Sequence, residues 1–97
     1  MSTTASANMT ITNRLGLHAR PAMMLAEAAM RFDSEITVQR VDQNKAVDAK
    51  SIMQLMMLAA VCGTELQVEA SGPDASESIA AIKDLVESRF SEDSLEC

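Results

Sequence analysis

Residues 65–90 have the sequence ELQVEASGPDASESIAAIKDLVESRF and combine a strand pattern with a helix pattern. Leu66, Val68 and Ala70 alternate with polar residues, which predicts a strand with one face in solvent. A Ser-Gly-Pro turn then ends the alternation. After the turn, apolar residues recur at spacings of three and four, as in a helix with one apolar stripe: Ile79, Ile82, Val86 and Phe90. The stretch therefore predicts a helix packed against the apolar face of a sheet.

The same two patterns recur through the rest of the chain. Alternation around Met9 and around Ile36 predicts two more strands, and residues 45–48 form a fourth after a turn. Helices are predicted over residues 19–30, 52–60 and 75–90, the last with a capping box of Asp74 and Glu77. The order is β-α-β-β-α-β-α. Because each strand has a single apolar face, all three helices should cover that face of an antiparallel sheet, which gives a two-layer α+β sandwich.

Composition and charge limit the class of protein. A chain of 97 residues suits one domain, and 8 Met with no Trp or Tyr require a core of aliphatic and thioether groups. A net charge of -6 argues against binding to nucleic acid or to an anionic membrane surface. The domain is expected to span residues 8–90, with flexible tails at 1–7 and 91–97, where small polar or acidic residues predominate.

Signals for export, membrane insertion and metal binding are not found in the sequence. The first ten residues lack a basic region and an apolar region, and the longest uncharged run, residues 51–64, is too short to span a bilayer comfortably. Cys62 and Cys97 give neither a disulfide framework nor the spacing of metal ligands. A cytoplasmic protein without a metal site or membrane insertion is expected.

The motif GLHARPA, residues 16–22, contains the only histidine of the chain. Pro21 suits the first turn of a helix, which places His18 at or just before the N-cap. The amides and the positive dipole end of that helix favour an anion, and the guanidinium of Arg20 can bind phosphate oxygens. An unprotonated ring nitrogen of His18 is a nucleophile that could take a phosphoryl group. The alternative is that His18 is only a cap or a surface residue.

The sequence resembles the histidine-containing phosphocarrier (HPr) family of the bacterial phosphotransferase system. The resemblance lies in NRLGLHARPA at 13–22, AKSIM at 49–53 and Gly-Thr at 63–64, with the elements in the same order. It implies an open-faced β-sandwich in which enzyme I, charged from phosphoenolpyruvate, phosphorylates His18 on Nδ1. It also implies that Arg20 supports the phosphoryl group, which passes to an enzyme IIA component of sugar uptake or to a regulatory target. A monomeric phosphotransfer intermediate is expected, with no cofactor, rather than a stand-alone enzyme.

Ser51 and the helix after it are the second group of candidate residues. Ser51 suits an N-cap, and the family resemblance also makes it the target of HPr kinase/phosphorylase. The helix is apolar on more than one side, so it cannot bury every apolar side chain. Leu55 and Leu58 are expected in the core. The expected contacts with partner proteins are Met24, Ile52, Met53 and Met56.

Two alternatives to a sugar-transport carrier remain from the sequence. The first stays in the family: a carrier of the nitrogen-related branch, or a purely regulatory carrier controlled through Ser51. The second is a non-catalytic adaptor module in which His18 is merely a cap.

Overall fold

The computed structural model of the protein describes residues 3–13, 16–88 and 90. Its elements follow the predicted order: β1 (Thr3–Thr10), α1 (Ala19–Met30), β2 (Glu35–Arg40), β3 (Ala46–Asp48), α2 (Ile52–Met57), β4 (Glu65–Gly72) and α3 (Ala75–Glu87). The strands form one four-stranded antiparallel sheet in the order β1-β4-β2-β3. The expected open-faced α+β sandwich is confirmed.

The central strand β4 shows how the sheet acquires one dry face. Leu66, Val68 and Ala70 are buried, and the residues between them are exposed. Helix α3 packs on β1 and β4, α2 packs on β3, and α1 packs against both other helices. The predicted stripe is buried at every position: Ile79, Ile82 and Val86 in α3, and Phe90 beyond the end of the helix. Burial of this one face is the main contribution to the stability of the fold.

Helix α1 has the predicted bounds, whereas α2 and α3 end three residues earlier than predicted. The backbone has a positive φ at Ala59 (52°) and at Phe90 (54°), a conformation that cannot continue a right-handed helix. After α2, Arg40 donates hydrogen bonds of 3.2 Å from Nη1 to the carbonyl oxygens of Leu58 and Ala59. These bonds satisfy carbonyl groups just after α2 that have no partner within the helix.

The predicted tail at residues 1–7 is wrong for Thr3 to Ala7, which form the first part of β1. Thr3 pairs with Gly72 and Ala7 pairs with Val68 on β4, and Ala5 and Ala7 pack against the core. The small polar side chains of this segment suggested a tail, but they carry no information on whether its main-chain groups pair with a strand about sixty residues away. The other predicted tail, residues 91–97, lies outside the described residues.

Asp74 does not form the predicted capping box, although it is the N-cap of α3. Its side chain makes no cap hydrogen bond and instead accepts bonds from the Oγ of Ser34, from the amide of Asp33 at 2.9 Å and from the amide of Ser34 at 3.0 Å. These bonds, first of all the one from the Ser34 hydroxyl, lower the pKa of Asp74. Asp74 therefore joins the start of α3 to the loop between α1 and β2.

The Asp74 contact predicts how stability depends on pH. Because the folded-state pKa lies below the unfolded value of about 3.9, the stabilisation is complete above that value and is lost as pH falls through the folded pKa. We expect Asp74→Ala to lower the melting temperature at neutral pH, and the difference from the parent to shrink below about pH 4. Thermal melts across pH, with Asp84→Ala on the exposed side of α3 as control, measure this. A difference independent of pH would contradict it.

Cys62 lies half-buried in the turn before β4 and is disulfide-bonded. The expectation of no disulfide is therefore wrong. Among the described helices, none is both long enough and apolar enough to cross a membrane.

Candidate functional site

His18 is the N-cap of α1, as predicted. Its backbone is extended, with φ -81° and ψ -169°, and its carbonyl accepts the first intrahelical bond from the Ala22 amide at 2.9 Å. The side chain is half-buried and makes no cap hydrogen bond to the helix. His18 therefore occupies the N-cap position through its backbone, whereas its imidazole does not accept a hydrogen bond from the amides of the first turn.

The loop that carries His18 is anchored to two other segments. The Leu17 amide donates to the Ala60 carbonyl at 2.8 Å, which ties the loop to the chain after α2. The Gly16 carbonyl accepts two bonds, one from the His18 amide at 3.0 Å and one from Asn13 Nδ2 at 2.7 Å. Asn13 is completely buried. The position of His18 is therefore fixed by hydrogen bonds from its loop to Asn13, which precedes it in sequence, and to Ala60, which follows it.

Asn13 is a site residue that the sequence analysis did not identify. The sequence feature that could have identified it is a side-chain amide at the end of an alternating strand, three residues before a glycine. Such a side chain often bonds to backbone groups nearby. Only the structure shows that this amide is buried and which carbonyl it contacts.

The electrostatic character of this end of α1 favours an anion. Arg20 is the second residue of the helix and is exposed, and the first turn contains no acidic residue. Pro21 and Ala22 are buried, which fixes the first turn against the core. The positive end of the helix dipole is thus not neutralised by the helix itself, and the guanidinium adds a full positive charge beside it. This arrangement can hold a phosphoryl group next to His18.

Ser51 is the N-cap of α2, as predicted, and its Oγ accepts a hydrogen bond of 3.2 Å from the Gln54 amide. We expect Ser51→Ala to reduce the free energy of unfolding by about 1 kcal/mol, because an amide of the first turn loses its partner. Urea unfolding measures this, with Ser76→Ala in the first turn of α3 as control. Equal losses in the two variants would contradict it.

The apolar side chains of α2 divide into a buried and an exposed set. Leu55 and Leu58 are buried, and Met53 and Met56 are exposed, as predicted. We call the exposed apolar residues of α2 and of the turn after it the α2 patch: Ile52, Met53, Met56, Met57 and Val61. This surface is continuous in the chain with Ala60, whose carbonyl binds the loop of His18.

The structure places Met24 differently from the expectation that it faces outward beside Met53 and Met56. Met24 is half-buried, packs against the core and lines a groove between α1 and α3. Met23 is the exposed methionine of this turn. Because neighbouring helical residues differ by about 100° around the axis, burial of Ala22 and Ala26 turns Met23 to solvent and Met24 towards α3.

The described residues contain no group of three or more histidine, cysteine or acidic side chains that could hold a metal ion. The start of α1 brings together one imidazole, one arginine and the amides of a helix N-terminus. Among these, the only nucleophile is the imidazole.

Comparisons with known proteins identify the family. A family model described as "PTS HPr component phosphorylation site" matches residues 5–88. The chain is 45% identical over 83 residues to phosphocarrier protein HPr of Treponema pallidum, which covers 86% of this chain and 92% of the relative. It is 42% identical over 90 residues to phosphocarrier protein NPr of Escherichia coli K12, with coverage of 93% and 99%.

A solved structure agrees with the sequence comparisons. The crystal structure of HPr-C-His from Thermoanaerobacter tengcongensis matches with a TM-score of 0.86 and 42% identity, and covers 92% of this chain and 98% of that one. The family match over most of the length, together with this shared fold, shows that the chain belongs to the HPr family of phosphotransferase-system phosphocarriers.

Proposed function

We propose that this protein accepts a phosphoryl group on His18 from enzyme I and passes it to an enzyme IIA component or to a regulatory target. The observation that carries the proposal is the position of His18 as N-cap of a helix whose first turn has no acidic residue. A phosphoryl anion at this place meets the positive end of the helix and Arg20. Membership of the HPr family supports the choice of reaction.

In the proposed step, an unprotonated ring nitrogen of His18 attacks the phosphorus of the donor. The new N–P bond forms as the bond between phosphorus and the donor atom breaks, and the donor keeps that electron pair. The family resemblance implies that the nitrogen is Nδ1. Arg20 and the first-turn amides stabilise the transferred oxygens by charge and hydrogen bonds. Because His18 is only half-buried, the acceptor protein can reach the group and remove it in the same way.

The surface that docks enzyme I is the α2 patch in this proposal. Met53 is 77% exposed and Met57 is 68% exposed, so the patch offers flexible apolar side chains. Its residue Val61 directly follows Ala60, whose carbonyl binds the loop of His18. Phosphoryl transfer requires direct contact at His18, and the adjoining surface must therefore be buried by the donor. Ile52, Met53 and Met56 are the predicted contacts, whereas Met24 lines the groove between α1 and α3 and is not part of this patch.

The experiment is intact-mass analysis after incubation with enzyme I and phosphoenolpyruvate. The expected result is the gain of one phosphoryl group that is lost in acid and kept in base, which is the behaviour of a phosphohistidine. No gain with an enzyme I that phosphorylates another HPr would reject the proposal. A gain that survives acid would place the group on a hydroxyl side chain and not on His18.

The choice of acceptor is a separate question, because the chain resembles both an HPr and an NPr. Purified enzyme IIA proteins of the sugar and nitrogen branches, offered together to the phosphorylated protein, answer it. The acceptor that takes the label at the higher rate gives the branch. Transfer to neither one would favour the purely regulatory alternative.

A second candidate function is regulation through phosphorylation of Ser51. Ser51 is half-exposed and directly precedes Ile52 and Met53 of the α2 patch, so a phosphate there would lie next to the proposed docking surface. The positive end of the helix dipole tolerates the negative charge of the phosphate. An apolar partner that buries the phosphate binds less tightly, because the charge must lose its water.

We expect Ser51→Asp to keep the fold, because aspartate is also an N-cap residue, and to raise the KM of enzyme I for this protein by about tenfold. Steady-state transfer rates measure it, with Ser76→Asp as control. An unchanged KM would contradict regulation through this serine. Direct phosphorylation by HPr kinase/phosphorylase then tests whether the site is used.

A further inference from the structure

We propose that Met53, Met56 and Met57 are an oxidation site, at which peroxide forms methionine sulfoxides that block docking of enzyme I. The inference rests on the proposed function, because it concerns the surface to which enzyme I binds. It adds a modification that neither the fold nor the phosphoryl chemistry requires. The predicted oxidant is hydrogen peroxide.

The evidence is the unequal exposure of the methionines. Met53 is 77% exposed, Met57 68% and Met56 45%, whereas Met9 in β1 is 5% exposed. Oxidation of a thioether requires that the oxidant reach the sulfur, so exposed methionines react before buried ones. Three exposed thioethers within five residues of one short helix are therefore expected to oxidise while the core remains intact.

The reaction balances with hydrogen peroxide alone. The sulfur lone pair attacks one peroxide oxygen, an S–O bond forms, and the O–O bond breaks. The departing hydroxide takes the proton from the oxygen now on sulfur, which leaves a sulfoxide and one water molecule. The sulfur is oxidised by two electrons and the peroxide is reduced by two.

The position of the three residues connects oxidation to function. Met57 lies three residues before Ala60, whose carbonyl holds the Leu17 amide next to His18. A sulfoxide in the α2 patch places a strong dipole on a surface that enzyme I buries, and an unpaired buried dipole is costly. The helix itself keeps its anchors, because Leu55 and Leu58 on its opposite side are buried. Docking is therefore expected to weaken while the fold and His18 remain unchanged.

The chain provides a matched control in Met30. It is 65% exposed, similar to Met57, but it is the last residue of α1, whereas His18 caps the first turn. At a rise of about 1.5 Å per residue, the two ends of this helix are about 18 Å apart. Met30 should therefore oxidise as readily as Met57 and have no effect on docking.

The experiment uses the parent protein, Met53→Leu/Met56→Leu/Met57→Leu and Met30→Leu, each treated with hydrogen peroxide. Leucine has a similar volume and a good helix propensity, so the triple variant should fold, and the reference for its treated KM is its own KM before treatment with peroxide. Peptide mapping locates the sulfoxides, circular dichroism reports the fold, and kinetics with enzyme I give KM and kcat. Methionine sulfoxide reductase with its reductant tests reversal, and the reductant alone controls for the disulfide of Cys62.

We expect sulfoxide at the three α2 positions well before Met9, and a KM raised about tenfold with little change in kcat. The Met30→Leu protein should lose affinity like the parent, the triple leucine variant should not, and the reductase should restore the KM. Equal oxidation of Met9 and Met53 would overturn the inference, as would an unchanged KM or equal inhibition of the triple variant.

The failure of the proposed function gives a different result. If the untreated parent accepts no phosphoryl group from a competent enzyme I, the proposed function fails, and the effect on docking fails with it. The peptide map does not use enzyme I, so it still decides whether the exposed α2 methionines oxidise before the buried Met9.

Discussion

Replacing His18 with alanine is expected to abolish phosphoryl acceptance while the protein stays folded. Within residues 16–22, which the structure describes in full, His18 has the only nucleophilic side chain, so none of the other six residues can replace it. The protein should stay folded, because the N-cap backbone is in an extended conformation open to any residue.

Intact mass after incubation with enzyme I and phosphoenolpyruvate measures acceptance, and urea unfolding measures stability. Ser51→Ala is the control, since it alters the other helix cap and leaves His18 in place. Acid-labile phosphate on the His18→Ala protein would show that another group is the acceptor. Loss of acceptance together with global unfolding would instead give His18 a structural role, as in the adaptor alternative.

The second large effect is expected for Gly16→Ala. Gly16 has a φ of +70°, and an added Cβ would lie 2.5 Å from the Ala60 oxygen and 2.8 Å from the Val61 Cα. Both contacts are with backbone atoms, so the loop of His18 must move away from the segment after α2. Backbone strain and overpacking together predict a loss of about 2–5 kcal/mol in the free energy of unfolding.

Gly63→Ala is the matched control for this prediction. Gly63 also has a positive φ, +93°, but nothing lies within 4 Å of the added Cβ. The free energy of unfolding of Gly63→Ala should therefore fall only by the cost of backbone strain, about 1–2 kcal/mol. Urea unfolding of both variants isolates the steric part, and phosphorylation rates show whether the shifted loop misplaces His18. Equal stabilities and equal rates would mean that the contact with Ala60 does not position the site.

The architecture was predictable from the sequence because it depends on local periodicity. Alternation in β4 and the stripe of α3 identify the dry face of the sheet, and both are buried as expected. The pairing of Thr3 to Ala7 with β4 was not predictable, since it depends on main-chain hydrogen bonds and not on side-chain type. The role of Asp74 was missed for a related reason: its partner, Ser34, is forty residues away.

The site was predictable in part. Pro21 in the first turn and the Gly-Leu-His sequence placed His18 at the helix cap, and the structure agrees. The contacts that hold the loop were not predictable, because Ala60 meets Leu17 only after α2 has packed on the sheet. Met24 and Met23 show the limit of helical periodicity: the pattern identifies a helix, but its rotation about its axis depends on the packing of its neighbours.

The strand order β1-β4-β2-β3 has a consequence for synthesis of the protein. On the ribosome, β1 and α1 emerge first, whereas β4, the strand that pairs with β1, is among the last elements to be made. The Ala60 carbonyl that holds the His18 loop also comes from the later half of the chain. Contacts so distant in sequence form late in folding. A nascent chain that already exposes His18 therefore lacks the assembled acceptor site, and the protein becomes competent for transfer only after nearly all of its domain has been synthesised.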